Sequence, residues 1–128
     1  MATSNYGRTK GYDAAVALTK RRFVKFSAAE TVTPVTAKTD VVAGVNLFDV
    51  SAGEITRGKG STVQQEGIAE LECDEAVAVG VLLGLNANGT VGVAATGDRV
   101  VGECVGSPST ATGQVISGAI DLPGYILP

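Results

Sequence analysis

Apolar and polar residues alternate with a period of two over most of this chain, and glycines cut the alternation into short pieces. The longest such run is Val77–Val105. Val77, Val79, Val81, Leu83 and Leu85 stand two apart, with Ala78, Gly80, Leu82, Gly84 and Asn86 between them. This period puts the first set on one face of a strand and leaves a second face of mostly small residues, which another layer or chain can approach closely. Asn88-Gly89 follows, the pair that most readily takes the two positive φ angles of a type I′ hairpin turn. Val91, Val93 and Ala95 resume the alternation, Thr96-Gly97-Asp98 turns the chain again, and Val100–Val105 makes a third strand. The pattern predicts a small antiparallel meander. Burying the large residues of its first strand is worth roughly 8–15 kcal/mol, and fixing that strand's backbone costs about 9–18 kcal/mol. Such a strand breaks even alone, so it belongs in a closed barrel, a sandwich or an assembly.

Elsewhere the chain reads as shorter strands and turns. Met1–Tyr12 is polar and aperiodic and is expected to be extended or disordered. Asp13–Thr19 has an N-cap residue and an Ala-rich continuation that predict a short helix. Arg22–Phe26 alternates and suits a strand added to a partner. From Thr31 the texture is strand-like: TVTPVT, with Pro34 marking an edge or bend; an apolar piece at Asp40–Gly44; and Asn46–Val50 around Phe48. Two turns flank Ile55. In the next strand, Ser61–Cys73, Ala69, Leu71 and Cys73 face inward and Ile68, Glu70 and Glu72 do not. Ser107–Gly113 is a loop and Val115–Ile120 a last strand. The apolar end, Leu122–Pro128, is expected to pack on the body or on a neighbour. These elements predict an all-β fold, with an extended basic arm over 1–30 and one β domain over 31–128.

Composition narrows the chemistry. The chain has 128 residues, 45% of them apolar but only 5% aromatic, so its core is built from small β-branched groups. No apolar run is long enough to span a membrane, and no secretion signal is read at the start. Cys73 and Cys104 lie in apolar strands at a spacing that matches no zinc motif, which favours buried free thiols. Histidine is absent, which removes the commonest general base and metal ligand, along with every triad that depends on it. Paired acids remain at Asp74-Glu75 and at Asp98 with Glu103, where a glycosidase pair or a calcium site needs a cleft or additional oxygens. Gly53–Lys59 fits G-x-x-x-x-G-K, but Gly60 stands where a phosphate-binding loop needs Ser or Thr, and a strand follows where it needs a helix. No cofactor is expected.

Charge is uneven. Residues 1–30 carry six basic and two acidic side chains, whereas the remainder carries four and eleven, for a net charge of −3. A basic segment on an acidic body suits docking on an oppositely charged surface. Its Lys and Arg stand among Tyr6, Tyr12, Phe23 and Phe26, which also suits nucleic acid, although the acidic body opposes it.

Gly67–Ile120 carries a further pattern: NGTV at Asn88–Val91, GDRVVG at Gly97–Gly102 and TGQV at Thr112–Val115. With the strands between them, these segments resemble the capsid decoration, or cement, proteins of tailed bacteriophages. The resemblance implies a non-enzymatic antiparallel β-barrel or β-tulip-like protein, often a homotrimer, on the outer surface of a virion. There it would clamp neighbouring copies of the major capsid protein. In that setting the candidate capsid contacts are Arg8, Lys10, Arg21, Arg22 and Lys25, with Phe23 and Phe26 as apolar anchors or, alternatively, as core. Leu122, Tyr125, Ile126 and Leu127 are the candidate subunit contacts. The competing expectations are a small nucleic-acid-binding barrel and a carboxylate hydrolase.

Overall fold

The computed structural model describes residues 5–128. Its elements are β1 (Asn5–Ala14), β2 (Arg22–Ala28), β3 (Thr31–Pro34), β4 (Gly44–Asn46), α1 (Ala52–Thr56), β5 (Ser61–Glu72), β6 (Leu82–Leu85), β7 (Val91–Val93), β8 (Arg99–Gly106) and β9 (Val115–Ile126). The fold is all-β, as the alternation predicts. The strands form one mixed sheet rather than a single antiparallel barrel, because β1 pairs with β3 in parallel.

Strand β5 organises that sheet. Its first part is flanked by β1 and β4, and the order β1-β3-β2-β4-β5 closes on itself through the β1–β5 pairing. Its second part, Ile68–Glu72, pairs with β9, and β8, β6 and β7 follow in that order. A parallel bridge from Cys73 to Val91 brings β7 back to the end of β5. Two strand rings therefore share one strand. Between its β4 and β9 partners β5 passes Gly67, whose φ of +92° is a conformation that favours glycine. The Gln64 carboxamide spans the same gap, donating to the carbonyls of Glu66 at 2.9 Å and Ile68 at 3.0 Å. A side chain thus meets acceptors that a neighbouring strand would otherwise meet.

Each ring has its own core. Leu18, Val24, Val32, Val50 and Val63 fill the first, while Phe23, Leu71, Leu83, Leu85 and Ile116 lead the second. Ala69, Leu71 and Cys73 are buried and Ile68, Glu70 and Glu72 only partly so, as the period-two reading requires. Both cysteines are buried free thiols in the second core, and burial pushes both above their ordinary titration range. The rings are tied at the start of β2. There Phe23 N–H donates to Gly89 at 2.9 Å, Glu72 N–H donates to Arg21 at 3.0 Å, and the Arg22 guanidinium meets Glu72 at 3.0 Å.

Several sequence expectations are corrected. The basic leading segment 1–30, over its described part, is not a free arm but supplies strands β1 and β2, both paired into the first ring; Met1–Ser4 of that segment lie outside the described residues. No helix forms at Asp13–Thr19, because Asp13 and Ala15 N–H are engaged by the carbonyls of Glu30 and Val32. The strand expected from Val77 begins only at Leu82; a turn with Gly80 at φ +89° precedes it and leaves Val79 57% exposed. Asn88-Gly89 does not form a type I′ turn. Only Gly89 of the pair has positive φ, in a three-residue loop whose ends are joined by Asn86 N–H to Thr90 C=O. NLFDV is a strand only to Asn46, and Phe48 is exposed. Ser51–Glu54, expected as a turn, is the capping box of α1.

The meander is also replaced, since β6 lies between β7 and β8. The β7–β8 connection passes close over β6 at Gly84, where an added Cβ would lie 3.0 Å from Ala94 Cα and 3.2 Å from Asp98. A side chain at Gly84 must displace that backbone. We therefore expect Gly84→Val to lower stability by about 1–3 kcal/mol in urea unfolding. Gly53→Ala, whose Cβ meets nothing closer than Arg57 at 3.6 Å, should be neutral or stabilising by up to about 1 kcal/mol.

Candidate functional site

The first ring has an open end, and β1 and β2 deliver the same kind of side chain to it. Lys10 lies 5.0 Å over the Tyr12 ring, Tyr12 meets Phe26 edge to face at 5.2 Å, and Gln65 donates to the Tyr12 hydroxyl at 2.8 Å. Beside this aromatic pair is a cleft of about 470 Å³. Arg8, Phe26 and Gln65 line one wall, Val42 and Ala43 a second, and Ile120, Asp121 and Leu122 the far side, with Glu66 also at the lining. The cleft joins residues from the two sets singled out in the sequence: Arg8 and Phe26 from the proposed capsid contacts, Leu122 from the proposed subunit contacts. Phe26 is 49% exposed there, a large apolar surface on a strand that otherwise buries its aromatic residue.

The other candidates lie elsewhere. Phe23 is 1% exposed and belongs to the second core, so it packs rather than anchors. Arg21 and Arg22 face Glu70 and Glu72 at the junction of the rings. Lys25 meets Asp40 at 3.0 Å and Thr36 at 2.7 Å, and Lys10 meets Glu30 at 3.1 Å. Burial pushes the Asp40 carboxyl up, but the Thr36 and Ala37 N–H groups and Lys25 outweigh it and hold Asp40 below its ordinary value. Tyr125 and Ile126 are exposed on β9 where it pairs with the start of β8, and Leu127 is half-buried, its backbone bonded to Gly97 and Asp98. A second cleft of about 450 Å³ lies at the junction, with Leu18, Arg22, Pro34 and Asn88 in its lining.

The side chains flagged for chemistry have structural work. Glu75 accepts Val93 N–H at 2.7 Å, which caps the outer edge of β7. Asp98 accepts Ala95 N–H and meets Lys38 at 3.2 Å; that backbone bond and the lysine hold it ionised below its ordinary range, opposite to what a general acid needs. In the near-match to a phosphate loop, helix α1 lies inside the motif, and Lys59 is bound to Glu54 at 2.8 Å and to the Asp49 carbonyl at 3.2 Å. Among the described residues no cluster of acids and thiols could hold a metal ion.

No protein-family model matches this chain, and no curated protein sequence does. A solved structure does: the head fiber gp8.5 N base in bacteriophage phi29, at TM-score 0.67 and 16% identity, covering 93% of this chain and 97% of that one. The two chains share a fold.

Sequence reasoning missed Val42, Gln65 and Ile120 at the cleft. Each is an unremarkable residue in its own strand or loop, and only the meeting of β2, β5 and β9 gives it a place there. The Glu54–Lys59 pair yields a pH prediction. Lys59 and the Ser51 N–H lower Glu54 from 4.5 to about 2. A depressed carboxylate stabilises fully above its unfolded value and loses that contribution as pH falls through the folded value. Carbon-detected titration should therefore place Glu54 near 2, with Lys59→Met moving it back toward 4.5.

Proposed function

We propose that this chain is a structural protein of a phage virion that binds the outer surface of the head and bridges neighbouring copies of the major capsid protein. The observation that carries this reading is the end-to-end fold match to a phage head fibre base. The surface chemistry supports it. The cleft beside the first ring offers an exposed aromatic anchor, Phe26, next to Arg8, and both residue types are enriched in the cores of protein interfaces. Tyr125 and Ile126 are exposed apolar side chains on β9, suited to contact between copies, and in this reading the head-bound state is a trimer. Catalysis has no part in it.

A protein partner fits the cleft better than nucleic acid does. Lys10 is engaged by Glu30, and Glu66 and Asp121 put negative charge at the lining where phosphates would lie.

The test is electron cryomicroscopy of heads of the encoding phage, prepared without this chain and then incubated with the purified protein. Density on the outer surface at junctions between capsid subunits is expected. Arg8→Glu combined with Phe26→Ala should lower occupancy by more than tenfold at limiting protein, as loss of an interface anchor of about 2 kcal/mol requires. The variant should stay folded, because losing the edge-to-face pair costs about 0.5–1.5 kcal/mol. Bare heads, or heads that bind both proteins equally, would refute the reading.

A further inference from the structure

We infer that the cleft is a strand acceptor: it takes an extended segment of the partner, with alternating apolar and basic residues, as an added strand on the free edge of β2. The identity of that partner rests on the reading above; the acceptor site itself rests on backbone pairing.

Strand β2 is paired with β3 from Val24 to Ala28 on one side. On its other side β4 accompanies it only over Arg22–Val24, and the last bond there runs from Ala43 N–H to Val24 C=O at 2.7 Å. Before Ala43 the chain turns away, leaving Val41 61% exposed. Backbone groups two residues apart point the same way along a strand, so those of Phe26 face the side that β4 has left. Among the described residues no strand meets them there. Across the cleft, β9 from Ile120 onward has no strand on its β5 side, since the last pair is Ile68 with Ala119.

The fold guards its other vulnerable backbone. The carbonyls of Glu66 and Ile68, exposed between β4 and β9, are taken by the Gln64 carboxamide, and the outer edge of β7 is capped by Glu75. Open edges recruit strands from other chains, and natural sheets ordinarily block them with charge, proline or a cover. Phe26–Ala28 has none of these. It presents an exposed aromatic ring followed by two small residues, and the cations beside it are engaged: Lys25 is held by Asp40, and Arg8 stands opposite Glu66. Main-chain bonds to such an edge supply affinity, and alternate side chains supply specificity.

Charge selects the occupant. Arg8 and Glu66 stand opposite one another in the β1–β5 register and offset each other. Asp121 is exposed at the lining and has no ion pair among the described residues. An incoming strand that sets apolar side chains against Phe26, Val42 and Leu122 therefore gains from Lys or Arg facing Asp121. Asn5–Tyr12 of this chain is not the donor, because β1 is already paired to β5 over those residues.

The probes are eight-residue peptides alternating Val and Lys, Val and Glu, and Val and Lys with prolines replacing the valines, each titrated into the isotope-labelled full chain. The Val/Lys peptide should shift the amides of Phe26–Ala28 and Ile120–Leu122 and slow exchange of the Phe26 N–H. The Val/Glu peptide should bind at least tenfold more weakly, and the proline form, which loses the N–H of every second residue and cannot form a regular ladder, should not bind. Asp121→Lys should reverse the preference between the two charged peptides. Absent shifts at those amides, equal binding of the proline form, or a preference unmoved by Asp121→Lys would overturn the inference. Heads that carry the protein while no peptide binds would sink the strand acceptor and leave the head-binding reading standing; peptide binding without head occupancy would do the reverse.

Discussion

A strand has two edges, and β5 uses its edges for more neighbours than two. Along one edge it keeps β1; along the other it serves β4 first and β9 afterwards. Every other feature follows from this division. Both rings must close through the same strand, so the hand-over between β4 and β9 leaves a short stretch of backbone without a strand beside it. Carbonyls left without a partner are costly to desolvate, and Gln64 meets two partly buried ones from within β5 itself. The same hand-over opens the cleft, because β2 runs on past the end of β4 while β9 starts too late to cover it.

The distribution of charge supports this architecture more than any long-range attraction. Basic residues of the leading segment meet acids contributed by later parts of the chain: Lys10 with Glu30, Arg21 and Arg22 with Glu70 and Glu72, Lys25 with Asp40. These pairs are partly exposed, where individual ion pairs contribute little. Their value here is positional, since two of them lie where the rings meet. What looks in sequence like a basic arm on an acidic body is, in three dimensions, a set of local neutralisations; at the cleft Arg8 stands opposite Glu66, and Asp121 is the charge left for recognition.

In the role proposed above, a protein repeated over a shell would need little affinity per contact, because linked contacts multiply. It needs a rigid platform that presents a binding edge without joining its own copies edge to edge in solution. The capped edge of β7 and the closed first ring suit that requirement, and the short edge at Phe26–Ala28 stays open beside the cleft.

The period-two pattern by itself determined that the protein is all-β, that its core is small and β-branched, that Ala69, Leu71 and Cys73 point inward, and that both thiols are buried. Alternation decides which face of a strand is apolar, and that is a local property. It does not decide which strand lies alongside. That choice belonged to the tertiary structure: β1 was enlisted by β5, β6 was inserted between β7 and β8 where Gly84 lets the chain cross, and Phe23 and Phe26, three residues apart in one strand, were sent to a core and to a surface. The cleft was likewise invisible in the sequence, because its walls come from residues more than ninety positions apart that meet only after β5 has exchanged one neighbour for another.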